Sequence, residues 1–346
     1  MFDPRDSWVW DYWFADDGRQ YHLFFLHASK ALHDPAARHN RASIGHAVSD
    51  DLRSWTRIED ALVRGPRGSF DDLATWTGSV VRSDDGIWHM FYTGATLASS
   101  GLNVQSIGHA TSPDLVVWHK TSDNPVLKAD PRWYETLDGG HWHDEAFRDP
   151  WVFADPAGDG WHMLITARAA EGPGYGRGVV GHATSPDLTR WTLAGPLSQP
   201  GDDGFGQLEV MQVEVVAGRP VLVFSCLGRH STPARRSEHG GTWAVNAPGV
   251  TGPFDVSTAY PLTGDDLYVG RLLRPRDSDE WLLFAFQNKG PTGVFTGGVT
   301  DPMPVRWEDD RLTVGPPDPG GSRPAATPSA DQGAERRPAT TSDGVS

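Results

Sequence analysis

One pattern runs through this chain five times, and it leaves few folds open. Each copy is a β-rich strand, a Gly/Asp/Pro turn and a second apolar strand. The copies are VWDYWF-ADDGRQ-YHLFFL from Val9, TGSVVR-SDDGI-WHMFYTG from Thr77, RDPWVFA-DPAGDG-WHMLITA from Arg148, EVMQVEVV-AGRP-VLVFSC from Glu209 and YVGRLLR-PRDSDE-WLLFAF from Tyr268. The second strands begin near Tyr21, Trp88, Trp161, Val221 and Trp281, at intervals of 67, 73, 60 and 60 residues. Self-similarity at such a period means stacked supersecondary units, each unable to bury its own faces alone.

A second repeat lies inside the first. Ile44-Gly-His-Ala-Val-Ser-Asp-Asp-Leu-Arg-Ser-Trp55 returns as Ile107 to Trp118 and again as Val180 to Trp191, with weaker copies at Thr242–Asp255 and Val294–Trp307. It reads as a third strand, a Ser-Pro-Asp turn and a fourth strand opened by Trp. Four strands in each of five units predict an all-β, five-bladed β-propeller spanning residues 1–315 as one domain. A parallel α/β fold would need helical segments between strands, and the period-2 patterning leaves no room for them. Residues 316–346 hold no aromatic and are rich in Pro, Gly, Ser, Thr and Ala, so they read as a disordered tail.

Composition narrows the partners. A formal net charge of −15 opposes binding to phosphate backbones and anionic lipid surfaces, so neither nucleic acid nor membrane is an expected partner. The single cysteine, Cys226, sits in an apolar run and reads as a buried, inert thiol. No signal-peptide pattern opens the sequence, which makes a cytoplasmic protein the expectation. No cofactor or metal is assigned, and a monomer is the simplest reading of a chain with no feature that sets an oligomeric state.

Three acids stand at similar offsets in the first strands. Asp11 precedes its second strand by 10 residues, and Asp149 and Glu209 precede theirs by 12. First strands of a propeller line the central channel, so these carboxyls should meet at one of its mouths. Similar offsets place Trp76-Thr77 in blade two and Tyr268 in blade five. Apolar neighbours and mutual repulsion would split the pKa values of the three acids, as glycoside cleavage requires. His141-Trp142-His143-Asp144-Glu145 forms a polar aromatic loop before blade three, from which His143 is a candidate substrate contact. The histidines that recur at 46, 109 and 182, and at 22, 89 and 162, read as blade-packing groups. Glu214 is a fallback acid, and Asp71 and Asp72 read as turn caps.

These segments resemble the furanosidase clan of five-bladed propellers, glycoside hydrolase families 32 and 68, with family 43 as a cousin. Phe147-Arg148-Asp149-Pro150 resembles the Arg-Asp-Pro motif of the transition-state stabiliser. Trp8-Val9-Trp10-Asp11 resembles the nucleophile segment, and Leu208-Glu209-Val210 stands where the acid/base glutamate belongs. Tyr21-His-Leu-Phe-Phe, Trp76-Thr-Gly-Ser79 and Phe91-Tyr-Thr-Gly94 match further clan segments. The chain departs from the pattern in lacking Asn-Asp-Pro-Asn-Gly, in Val210 after the glutamate, in Leu26 where a Gln is expected, and in having no β-sandwich sequence after the propeller. The resemblance implies a retaining β-fructofuranosidase-type hydrolase acting on a small carbohydrate such as sucrose, a fructo-oligosaccharide or a fructan. In it Asp11 is the nucleophile, Asp149 the stabiliser and Glu209 the acid/base. Arg148 orders them, and Trp10, Trp13, Trp76, Thr77, His143 and Tyr268 line the sugar site. The alternatives are an inverting family 43-like arabinofuranosidase or xylosidase, and a sugar-binding propeller without catalysis.

Overall fold

The computed structural model describes residues 1–140, 142–235 and 239–317. The expected tail lies outside the described residues from 318 onward, and the last described strand ends at Val314.

Five sheets form, each containing four antiparallel strands in sequence order. Blade one comprises Ser7–Asp16, Tyr21–Ser29, Ser43–Ser49 and Thr56–Arg57. The first strands of the later blades are Ala74–Arg82, Phe147–Ala154, Glu209–Val216 and Leu267–Leu273. A short extra strand, Asp144–Glu145, pairs in parallel with Asn103–Ser112 of blade two. The described helices are all 3-10 turns of three to seven residues. None is long and apolar enough to cross a membrane. The chain start closes the ring: Phe2 pairs with Val299, and the Gly298 N–H donates to the Val9 carbonyl at 2.9 Å.

The inner repeat becomes the glue between blades. In each Ser-(Asp/Pro)-Asp-Leu turn the leucine takes positive φ, at Leu52, Leu115 and Leu188, while the preceding Asp accepts two backbone N–H bonds. That conformation aims the following Trp backward. Trp118 of blade two meets Phe24 of blade one edge-on at 5.7 Å, and Trp191 of blade three meets Phe91 of blade two at 5.2 Å. The recurrent histidines pair inside blades one to three at 2.8–2.9 Å, as His22–His46, His89–His109 and His162–His182. His46 and His109 also stack on Phe24 and Phe91. They are packing groups, as their repetition suggested. Asp71 is buried against Tyr92 and Lys120, and Asp72 accepts from the Gly68 N–H, so both serve their loop.

Every first strand carries an irregularity at the same place. Strand pairing slips between Trp10 and Tyr12, Trp76 and Gly78, Arg148 and Trp151, Glu209 and Gln212, and Tyr268 and Arg271. These are β-bulges, which bend a strand and re-aim the extra side chain. In blades three to five the bulge residues Asp149, Val210 and Val269 have φ of 56°, 53° and 54°. For a β-branched valine that region is strained and persists only where the surroundings enforce it. The enforcement comes from the preceding blade. The N–H groups of Asp149, Val210 and Val269 donate to the hydroxyls of Thr93, Thr166 and Ser225 at 2.9, 3.2 and 2.9 Å.

Candidate active site

The bulges build two stacked rings of side chains at one mouth of the channel. The residues just before the bulge are Trp10, Trp76, Arg148, Glu209 and Tyr268. The bulge residues are Asp11, Thr77, Asp149, Val210 and Val269. All of these except Val269 line one cavity of about 600 Å³. The three acids therefore converge, but not at one register as their offsets suggested. Asp11 and Asp149 occupy bulges, whereas Glu209 precedes its bulge and aligns with Arg148 and Tyr268. The count from the second strand runs through a hairpin turn of different length in each blade, closing at Asp16–Tyr21, Ala154–Trp161 and Val216–Arg219, so equal offsets did not mean equal places.

Contacts run around each ring. Tyr268 Oη donates to Glu209 Oε2, and Arg148 Nη2 donates to Glu209 Oε1 at 2.6 Å and to Gln207 Oε1. Arg148 Nε lies 3.4 Å from Asp149 Oδ2, so one guanidinium bridges two of the acids. Its Nη1 donates to Gln105 at 3.1 Å. In the inner ring, Thr77 Oγ1 donates to Asp11 at 2.5 Å, and the Val210 N–H donates to Asp149 at 3.2 Å.

Burial and like charge set the protonation. Burial pushes the Asp11 carboxyl up to about 7, helped by the charge of Asp149 and opposed by the Thr77 hydrogen bond. Burial also raises Asp149 despite the Arg148 charge. Burial acts on Glu209 too, but Arg148 and Tyr268 outweigh it and hold that carboxyl below its ordinary value. Two carboxyls of one pocket are thus pushed apart, the condition for paired acid and base work.

Of the expected sugar-site residues, Trp10, Trp76, Thr77, Arg148, His143 and Tyr268 line the cavity. Trp13 does not. It is fully buried and stacks at 6.1 Å on Phe24, its cross-strand partner in blade one, whose ring meets Trp118 of blade two. The bulge re-aims Asp11 alone and regular pairing resumes at Tyr12, so Trp13, two residues on, turns to the blade interface instead of the channel. His143 sits on the rim with its ring 5.8 Å from His230, whereas His141 lies outside the described residues. Leu26 lines the cavity where a polar residue was expected.

Several lining residues escaped the sequence reading. Gln207 holds Arg148, and its position two residues before Glu209 was an available signal. Arg38, His39, Arg229, His230 and Phe295 come from loops between outer strands, whose course no repeat specifies. The Arg38 guanidinium is wedged against Phe295 at 3.7 Å and Trp10 at 5.3 Å. Trp76 Nε1 donates to the His39 carbonyl at 2.7 Å, tying this loop to the cavity wall.

Residues 3–246 match the profile of the glycosyl hydrolases family 32 N-terminal domain. The chain belongs to glycoside hydrolase family 32. The match spans blades one to four as far as the third strand of blade four, and so includes Asp11, Arg148-Asp149 and Glu209. This family 32 chain is 32% identical over 173 residues to beta-fructofuranosidase 1 of Zea mays, covering 48% of this chain and 23% of that enzyme. It is 28% identical over 196 residues to fructan 1-exohydrolase of Bromus pictus, covering 56% of this chain and 29% of the relative. The matches therefore span less than a third of these relatives' length. In fold, the chain is similar to the inulosucrase of Halalkalicoccus jeotgali solved with kestose, with a TM-score of 0.74, 23% identity, and coverage of 91% of this chain and 89% of that one. The sucrose-6-phosphate hydrolase of Lactobacillus gasseri gives a TM-score of 0.72 at 20% identity, covering 92% and 62%.

Proposed function

We propose that this family 32 chain is a retaining glycoside hydrolase of the β-fructofuranosidase type, cleaving sucrose or short fructosides. The observation that carries the reading is the convergence of Asp11, Asp149 and Glu209 on one sugar-sized cavity, with Arg148 bridging two of them. Asp11 attacks the anomeric carbon as the bond to the leaving oxygen breaks, and Glu209 gives that oxygen its proton. The Glu209 carboxylate then takes a proton from water, whose oxygen attacks the same carbon and frees Asp11. Asp149 and Arg148 hold the ring hydroxyls and stabilise the oxocarbenium-like charge. Trp10 and Trp76 supply apolar walls.

The cycle needs one proton on the Asp11–Glu209 pair, located on Glu209 when the bond breaks. In the free site that proton rests on Asp11, so the reacting form is the minor arrangement of the singly protonated pair. Substrate entry brings the leaving oxygen to Glu209. The relatives named beta-fructofuranosidase and fructan exohydrolase support the substrate class.

The test is NMR of the first-formed sugar from sucrose and inulin-type oligosaccharides, set against aryl arabinofuranosides. Release of β-fructofuranose with retained configuration is expected. Inversion, or turnover of the arabinoside alone, overturns the reading, and no hydrolysis of any of these sugars would leave a binding propeller.

A further inference from the structure

A second cavity of about 310 Å³ opens at the other end of the channel and shares no lining residue with the first. It is lined by the far halves of the first strands. Trp151 and Trp281, both half-buried, form apolar walls. Gln212 and Glu214 project from blade four, with Gln212 Nε2 donating to Glu214 at 3.0 Å. Arg271 of blade five reaches across the axis, donating to the Tyr12 and Met211 carbonyls at 3.3 and 2.8 Å.

Two donors here have no partner among the described residues. Arg271 is only 1% exposed, yet its Nη2 is unbonded, and the buried Trp151 Nε1 is unbonded as well. The Arg271 guanidinium lies 4.9 Å from the Trp151 ring centre, so the two donors share one wall. Buried donors left open are costly, so a guest with acceptor oxygens is favoured here. The lining carries both signs, Asp16 and Glu214 beside Arg271 and Arg274, so it calls for no single charge in a guest. A polyhydroxylated ring suits such a mixed lining: its apolar face covers an indole and its hydroxyls both accept and donate. Burial raises the Glu214 carboxyl to about 7, so it too can either donate or accept near neutrality.

We propose that this far mouth is a second carbohydrate-binding site, taking one neutral sugar unit against Trp151 and Trp281. It is separate from the hydrolytic pocket and does not depend on the activity assigned there.

The test is a sucrose titration of the whole chain carrying Asp11→Asn, so that sugar is not consumed, followed by the indole N–H signals in NMR. We expect the Trp151 and Trp281 signals to shift with dose, independently of Trp10 and Trp76. Trp281→Ala should weaken the Trp151 response at least tenfold while leaving the Trp10 and Trp76 responses in place. Glu214→Gln provides a second variant should Trp281→Ala fail to fold, with a smaller weakening in the same signals. Unmoved Trp151 and Trp281 signals at the highest soluble sucrose concentration mean that the cavity holds water only and overturn the proposal. Movement at Trp151 without movement at Trp10 and Trp76 would instead count against the hydrolytic reading and leave this one standing.

Discussion

The two ends of the first strands are made from the same five segments yet differ in kind. At the far end, pairing is regular, and the side chains alternate between the blade interfaces and a smaller cavity. At the near end, every strand bulges, and ten residues from five blades form two rings around a cavity. The difference shows that the larger cavity arises from breaking the sheet rather than extending it. A regular strand would send alternate residues into the blade interfaces, as it does with Trp13. The bulge supplies the extra residue that points along the axis.

The comparison breaks first at the acids. Asp11→Ala, Asp149→Ala or Glu209→Ala should each lower kcat for sucrose by about 10⁴-fold or more with the thermal unfolding midpoint nearly unchanged. Near-normal turnover in any of them would remove that residue from the chemistry. Arg148→Lys keeps the charge but loses the fork that reaches Glu209, Gln207 and Asp149 together. A fall in kcat of about 10²–10³-fold is expected, with a smaller change in KM.

The bulge itself can be attacked at Gly78. A Cβ there would stand 2.2 Å from the Phe91 carbonyl oxygen, a backbone atom that cannot swing aside. Gly78→Ala should destabilise the chain by about 1–3 kcal/mol in denaturant unfolding, and should also weaken the Thr77–Asp11 contact and so the rate. Loss of stability with kcat intact would separate the bulge from the chemistry.

The pH profile gives a gentler test. The reacting pair carries one proton, and the last one leaves as pH rises through the Asp11 value of about 7. kcat/KM should therefore be flat below about pH 7, fall towards tenfold per pH unit above it, and drop on the acid side only below the ordinary carboxylate range, where Glu209 takes a second proton.

The blade walls answer to pH through stability rather than through rate. Burial lowers His46 and His109 to about 3 and His182 to about 4, whereas an unfolded histidine titrates near 6.5. The unfolded chain thus binds more protons between these limits. Stability should be full above pH 6.5 and fall steadily from there to about pH 3, as read by urea unfolding. Denaturation curves unchanged between pH 7 and 5 would mean that these pairs are not buried neutral.

Much of this protein was legible in the residue order. The five hairpins, the Gly-His-Ala and Trp repeats and the apolar alternation are local patterns, and local patterns fix strands and turns. They determined the propeller and the blade order, because a repeat must stack on its neighbours to bury its faces, and they set three acids on first strands. The register of those acids, the turn of Trp13 away from the channel, and the arrival of Arg38, Gln207 and His230 at the cavity were decided only by the tertiary structure. A bulge is held open by hydroxyls of the preceding blade, Thr93, Thr166 and Ser225, and a loop residue reaches the mouth only when the ring closes. Both depend on contacts between segments 44 to 257 residues apart, which no local pattern encodes.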